Sequence, residues 1–297
     1  MATEKVAVIG AGIGGLAAAL DLANRGLQVT VFERSSAPGG KLRAAMFGDV
    51  PVDAGPTVFT LRHVFEEMFA DAGAALSDHV TLRPLDILAR HAWSDGCSLD
   101  LSADILQSSA NIGELVGAAE ARRFLAFCER ARQIFHTLDR TFMRAQRPSP
   151  FGLVTASGAS GLPQLMRISP FTTLWQELGK YFHDPRLRQL FGRYATYCGS
   201  SPFHAPATLM LIAHAEQDGV WSVEGGMHRL AQAVAALAER KGVRIHYNCG
   251  VRDITAAHGR VSGITLENDE WHPADAVVFN GDAAAIADGH LGKDIAR

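Results

Sequence analysis

The chain opens on two different hydrophobic rhythms in quick succession. Val6-Ala7-Val8-Ile9 is an unbroken apolar run, the pattern of a strand buried on both faces of a parallel sheet. From Ile13 the apolar positions Leu16, Leu20 and Leu22 predict a helix that Arg25-Gly26 ends, and Gln28–Phe32 predicts a second strand. The middle of the chain is helical in pattern. Val64, Phe65, Met68 and Phe69 share one face of a helix over 61–74. A long helix over 119–144 carries Phe124, Phe127, Ile134, Phe135, Leu138 and Phe142. Two more helices cover 171–182 and 185–198, and Pro206 starts another running towards Gln217. Between them, 87–90 and 97–101 read as short strands around Ser94-Asp95-Gly96, and 147–170 is rich in Pro and Gly. That stretch reads equally as a mobile rim over an apolar opening or as a plain connection.

Strand and helix alternate again towards the C-terminus. Leu230, Val234 and Leu237 mark a helix after Gly225-Gly226-Met227, followed by a strand over 243–247. Segments 250–255 and 260–266 read as a hairpin-like pair, 270–273 as a turn and 275–279 as an apolar strand. The expected organisation is therefore an α/β domain in two parts, 1–60 and 221–297, interrupted by a largely helical insertion over 61–220. Its sheet is expected to be one element short, as in a C-terminally truncated chain.

The connection between the first strand and helix carries the chemistry. Gly10-Ala11-Gly12-Ile13-Gly14-Gly15 follows a strand and opens a helix. Gly10 permits the tight turn, Gly12 lets backbone approach a pyrophosphate, and Gly15 lets helix and strand pack closely. The helix N-terminus supplies unpaired amides for the phosphates. Glu33 closes the second strand eighteen residues after Gly15, where a carboxylate accepts both ribose hydroxyls of an adenosine and repels a 2′-phosphate. Arg34 beside it leaves a 2′-phosphate open. Pro38-Gly39-Gly40 with Lys41, and Asp53-Ala54-Gly55-Pro56-Thr57, read either as further backbone approaches along an extended cofactor or as ordinary surface turns. Asn280-Gly281-Asp282 ends the last strand at the edge where parallel sheets collect ligands. These features give a Rossmann-like dinucleotide fold.

Composition narrows the field. With 47% apolar residues and a formal net charge of −3, the chain carries no sign of a nucleic-acid-binding surface. No apolar run approaches eighteen residues, so no spanning helix is expected. The start of the chain runs straight into a strand, with no signal segment, which points to the cytoplasm. Cys97, Cys128, Cys198 and Cys249 are widely spaced and read as reduced thiols, and the twelve histidines have no metal-binding spacing. The arginines Arg122, Arg123, Arg130, Arg132 and Arg140 on the long helix read either as a solvated face or as contacts for anionic lipid.

These motifs carry a resemblance. The glycine turn continuing into Leu16, the acid Glu33, Pro38-Gly39-Gly40-Lys41, Asp53 to Thr57, Gly225-Gly226-Met227 with Leu230, and Asn280 with Asp282 together resemble the bacterial carotenoid desaturases of the phytoene desaturase family. Residues 58–70, Ala89 to Trp93, Arg167 to Trp175, Leu190 to Tyr197 and Val220 to Leu230 are most similar to the branch that acts on 1-hydroxy and 1-methoxy carotenoids of photosynthetic bacteria. The resemblance implies FAD as cofactor, in a fold of the glutathione-reductase/amine-oxidase type whose final FAD-binding segment this sequence lacks. It implies cofactor contacts at Gly10, Gly12, Gly14, Gly15, Glu33, Arg34, Gly39, Gly40, Lys41, Gly55, Pro56, Thr57, Val251, Asn280 and Asp282. It implies introduction of a C3–C4 double bond by hydride transfer to flavin and proton loss, with no catalytic residue named and the electron acceptor either a quinone or oxygen. The carotenoid would lie in an apolar tunnel lined by residues such as Phe171, Trp175, Phe191, Tyr194, Tyr197, Phe203 and Trp221, each of which reads otherwise, and more readily, as plain core, while Glu216 and Asp218 read as ordinary polar residues ahead of contacts for its reacting end. A substrate so insoluble implies peripheral association with the inner or photosynthetic membrane. The alternatives are phytoene desaturation to neurosporene or lycopene, a flavin amine oxidase, and a non-catalytic truncated remnant.

Overall fold

A computed structural model describes residues 4–145, 168–169, 171–292 and 295. These residues form two compact units, one of 1–83 with 221–297 and the other of 84–220. Of the Pro- and Gly-rich stretch 147–170, only Ile168 and Ser169 fall among the described residues.

The first unit is built on a parallel sheet. Strand β1 (Lys5–Ile9) pairs with β2 (Gln28–Phe32) on one side and with Ala276–Phe279 on the other, and β2 continues the sheet to Arg244–His246. Helix α1 (Ile13–Asn24) connects β1 to β2, as the change of period predicts. It shares a core with helix His228–Arg240, where Leu16, Leu20, Val31, Leu230, Val234 and Leu237 are all buried. The other face of the sheet is covered by an antiparallel sheet of Val251–Ala257, Arg260–Leu266 and Trp271–Pro273, through Ala7, Ile9, Phe32, Ile254 and Ile264. Residues 271–273 are thus a strand and not the expected turn: their ladder runs along Gly263–Thr265, and the Trp271 ring lies over Gly263, where a side chain would block it.

Two further differences concern this unit. Helix Arg62–Asp71, expected in the insertion, places Phe69 in the core beside Leu76 and Val80, so the first segment extends to residue 83. The hairpin Ala44–Phe47 with Val50–Asp53 has no counterpart in the sequence reading; its Met46, Phe47, Val50 and Val52 are exposed, so no inward-facing alternation marks it.

The second unit is mainly helical. Helix Ala118–Leu138 buries Phe124, Phe127, Ile134 and Leu138 and passes into a π-helical turn at Asp139–Met143. Thr173 and Gln176 form a capping box that starts Leu174–Tyr181, and Asp184 caps Pro185–Gly192. The expected helix over 185–198 tightens to 3₁₀ at Arg193–Cys198, and the one after Pro206 is 3₁₀ at Ala207–Met210 before Leu211–Gln217. Helix Ile105–Val116, opened by an Asp104 cap, was not read from the sequence. Strands Ile87–Ala92 and Ser98–Ser102 pair as a hairpin.

The aromatic residues of this unit divide sharply. Phe191 and Tyr194 are core, not lining: Phe191 stacks on Phe182 at 4.8 Å and touches Phe127 and Phe124. Phe171, Tyr197 and Phe203 are exposed, and Trp175 packs on Phe203 and under Arg188. Trp221 belongs to the first unit, beside Phe59.

The basic face of Ala118–Leu138 is answered in part by carboxylates of its own helix. Arg123 pairs with the buried Glu120, Arg132 with Glu129 through its Nε and Nη2, and Arg130 donates to Ser169. The Arg132 guanidinium holds Glu129 down at about 2. The side chain of Arg140 lies outside the described residues.

Candidate functional site

The glycine turn is shaped by Asn280. Its carboxamide lies against the start of α1, where a carbon added to Gly12 or Gly14 would meet it at 2.8 Å. Gly15 has no room for a side chain because the Gly10 carbonyl faces it directly. Gly12 is the N-cap of α1 and bridges Gly39, whose amide donates to the Ala11 carbonyl at 2.8 Å. Gly40 passes 3.2 Å from the Gly12 Cα, measured from where its own side chain would begin. The Pro38-Gly39-Gly40 loop is therefore the second wall of the turn.

Glu33 stands at the end of β2 and is 8% exposed. One carboxylate oxygen accepts from the Ala11 amide at 2.6 Å and the other from the Ser35 amide at 2.8 Å. A carboxylate has about four acceptor sites, so two remain. A cleft of about 390 Å³ opens beside it, lined by Gly10, Glu33, Arg34, Ser35, Cys249, Val251, Asn280 and His290 among others. Five of the residues expected from the sequence thus meet in one cleft: Gly10, Glu33, Arg34, Val251 and Asn280. Arg34 is 76% exposed and turned onto Glu267 at 3.4 Å. That carboxylate answers its charge, which leaves less of it for a 2′-phosphate.

Other expected residues lie outside this lining. Asp282 caps the short helix Ala283–Ala287 by accepting from the Ala284 amide at 3.0 Å. Gly55 packs directly on the Lys41 carbonyl, so these two loops support each other through backbone, while Lys41, Pro56 and Thr57 are exposed and outside the cleft lining. Asp53 has a role the sequence reading missed: both its oxygens accept from the Met227 amide, at 3.0 and 3.1 Å, and hold the start of helix His228–Arg240. Nearby, His228 Nδ1 lies 3.0 Å from the Leu42 carbonyl, so that nitrogen carries the proton. The pairing of Asp53 with Gly226-Met227 was visible only as two separate motifs, 174 residues apart from acid to amide.

The cleft fits a dinucleotide on its own geometry. The glycine turn allows close backbone approach at a helix N-terminus, and a shielded carboxylate with spare acceptor sites stands where a ribose diol would be held.

Comparisons with known proteins agree. Residues 13–294 match the family described as flavin containing amine oxidoreductase. The hydroxyneurosporene desaturase of Rubrivivax gelatinosus is 53% identical over 291 residues, 98% of this chain and 55% of that protein. The hydroxyneurosporene desaturase of Cereibacter sphaeroides is 47% identical over 289 residues, 97% of this chain and 58% of that protein. The chain therefore spans a little over half the length of these relatives. Among solved structures, a putrescine oxidase variant with redesigned cofactor binding superposes with a TM-score of 0.62 at 18% identity, covering 93% of this chain and 57% of that one. With its cradle and its acid in place on this fold, the chain belongs to the flavin containing amine oxidoreductase family, and its cofactor is FAD.

Proposed function

We propose that this chain is part of a carotenoid 3,4-desaturase that introduces a C3–C4 double bond into 1-hydroxy or 1-methoxy carotenoids. The observation that carries the reading is 53% identity along 98% of the chain to a protein named hydroxyneurosporene desaturase. When bound, FAD supplies a hydride acceptor, which the removal of hydrogen from an unactivated carbon next to a polyene requires. The residues of this chain bind and orient. Gly10, Gly12, Gly14 and Gly15 admit the pyrophosphate to the amides of α1. Glu33 accepts the ribose hydroxyls, with Arg34 and Val251 beside it and Asn280 over the turn. Gly39 and Gly40 keep the second wall thin, and Lys41, Gly55, Pro56, Thr57 and Asp282 hold the loops and the last strand end around it. Conjugation spreads the positive charge left on the substrate, so proton loss needs no strong dedicated base.

The domain reading that goes with this function is a dinucleotide domain in two parts with a substrate-handling insertion between them. Among the described residues no helix is long and apolar enough to cross a membrane. Access to so insoluble a substrate is assigned to peripheral contact with the inner or photosynthetic membrane, supported by the exposed Phe171 and Phe203. The electron acceptor in this reading is a quinone or oxygen.

The test is to purify the chain with added FAD and supply 1-hydroxyneurosporene. The expected result is bound flavin and a product whose visible spectrum shifts to longer wavelength by one added conjugated double bond. Turnover of phytoene instead, or of a soluble amine with peroxide release, would replace this reading. Failure to retain flavin would remove it.

A further inference from the structure

The second unit holds a polar cluster that nothing in cofactor binding uses. Glu216, on helix Leu211–Gln217, is 8% exposed. Its carboxylate accepts from Arg193 at 2.9 and 3.1 Å, from the Tyr194 hydroxyl at 2.9 Å and from the Tyr197 hydroxyl at 3.0 Å. A buried carboxylate is costly unless its charge is answered and its lone pairs are filled, and this one has both.

The direction of those bonds has a chemical consequence. A carboxylate cannot donate, so both phenols must give it their protons. Each phenol oxygen is then left with lone pairs only. Tyr194 is sealed at 1% exposed, so its oxygen meets nothing further. Tyr197 is 60% exposed. The bond to Glu216, which Arg193 also holds, fixes the direction of the Tyr197 hydroxyl. The cluster therefore offers to its surroundings one oriented acceptor with no proton to give.

Arg193 Nε and His91 Nε2 are shielded from solvent without a hydrogen-bond partner among the described residues. Behind Glu216 the interior narrows to a cavity of about 10 Å³ between Leu88, Phe124 and Phe191. That is space for roughly one water. A cavity of that size cannot take a long apolar chain, so the exposed side of the cluster is at Tyr197.

We propose that Tyr197, oriented by Glu216 and Arg193, is a specificity-determining residue that accepts a hydrogen bond from the tertiary alcohol at the end of an otherwise apolar carotenoid. The inference rests on the function proposed above and deepens it. An alcohol can donate to this oxygen. A methyl ether and a plain hydrocarbon end cannot. The cluster thus selects the 1-hydroxy end over its 1-methoxy counterpart, although the two differ by one carbon.

The experiment compares 1-hydroxyneurosporene, 1-methoxyneurosporene and neurosporene as ligands of the FAD-loaded chain in one detergent. Binding is read from quenching of tryptophan fluorescence by the polyene, which needs no turnover. The wild-type chain is expected to bind the alcohol roughly three- to tenfold more tightly than the ether or the hydrocarbon, the worth of one net hydrogen bond. Tyr197→Phe is expected to remove that preference by weakening the alcohol alone; its urea midpoint is expected to fall, because the buried Glu216 loses one donor, and unchanged affinity for the ether and the hydrocarbon shows that the variant is still folded. Equal wild-type affinity for alcohol and ether, or a preference that survives in Tyr197→Phe, overturns this inference and leaves the carotenoid reading standing. A wild-type chain that binds none of the three overturns both.

Discussion

Glu33 is the residue on which cofactor binding turns. Its two amide bonds hold it at the cleft in one orientation, so the remaining acceptor sites are already aimed. Glu33→Gln keeps the shape but removes the charge and turns one acceptor into a donor. Loss of charge-assisted bonds of this kind is worth about 1.5–3 kcal/mol, so flavin affinity is expected to fall roughly ten- to a hundredfold, as measured by flavin titration. His91 is a second residue with a readable consequence. Burial lowers its pKa first and Arg193 adds to this, while Glu216 and Asp100 oppose it. The folded state therefore binds a proton less readily than the unfolded chain. Its contribution to stability is complete above the ordinary value of 6.5 and is lost as the pH falls from there towards the lowered value. Urea midpoints measured down through that window should drop more for wild type than for His91→Gln. His214 is shifted in the same direction, burial first and His136 next, so the variant keeps part of the slope.

At the scale of elements, the cleft depends on helix ends more than on helix faces. Asp53 holds the start of His228–Arg240 in the manner of an N-terminal cap, from a loop that also carries Gly55 against Lys41. Asp53→Ala is expected to cost about 1 kcal/mol, the usual worth of such a contact, read as a lower urea midpoint. Gly15→Ala tests the closer approach. Its methyl would collide with the Gly10 carbonyl, which is backbone and cannot swing aside. The expected outcome is a chain that no longer retains flavin because α1 must move off β1. Most elements were legible in advance for a simple reason: β1, α1 and β2 follow their hydrophobic periods without interruption. Helix Ile105–Val116 was not, because Ser108 and Ser109 take up buried positions where the period calls for apolar residues. Ser108 is satisfied there by exchanging hydrogen bonds with the backbone of Ser102, a contact made across the turn into the helix.

At the scale of the whole chain, each of the two units has its own core, and each is expected to answer to a different ligand. FAD at a hundred times its dissociation constant stabilises the state that binds it by about 2.7 kcal/mol. Hydrogen exchange should therefore slow on addition of FAD in Lys5–Ile9, Ile13–Asn24, Gln28–Phe32 and Ala276–Phe279. Addition of 1-hydroxyneurosporene should slow it in Arg193–Cys198 and Leu211–Gln217. Protection by the carotenoid confined to the first set would place the substrate contact away from Glu216.

The amino-acid sequence by itself determined the dinucleotide half of this protein. Glycines, a strand-ending acid and two hydrophobic periods act over short distances, so their spacing along the chain is already their spacing in space. Motif likeness carried the cofactor and the family. Tertiary structure alone decided the rest, because it depends on residues far apart in the chain. Only the fold brings Asn280 onto the turn at Gly12, Asp53 onto the amide of Met227, and Glu267 onto Arg34. It also sorts the aromatic residues, since whether Phe191 is core and Phe171 exposed depends on which helix packs above each. The same applies to Glu216, whose chemistry comes from three donors that lie 19 to 23 residues away and meet it only when Leu211–Gln217 packs.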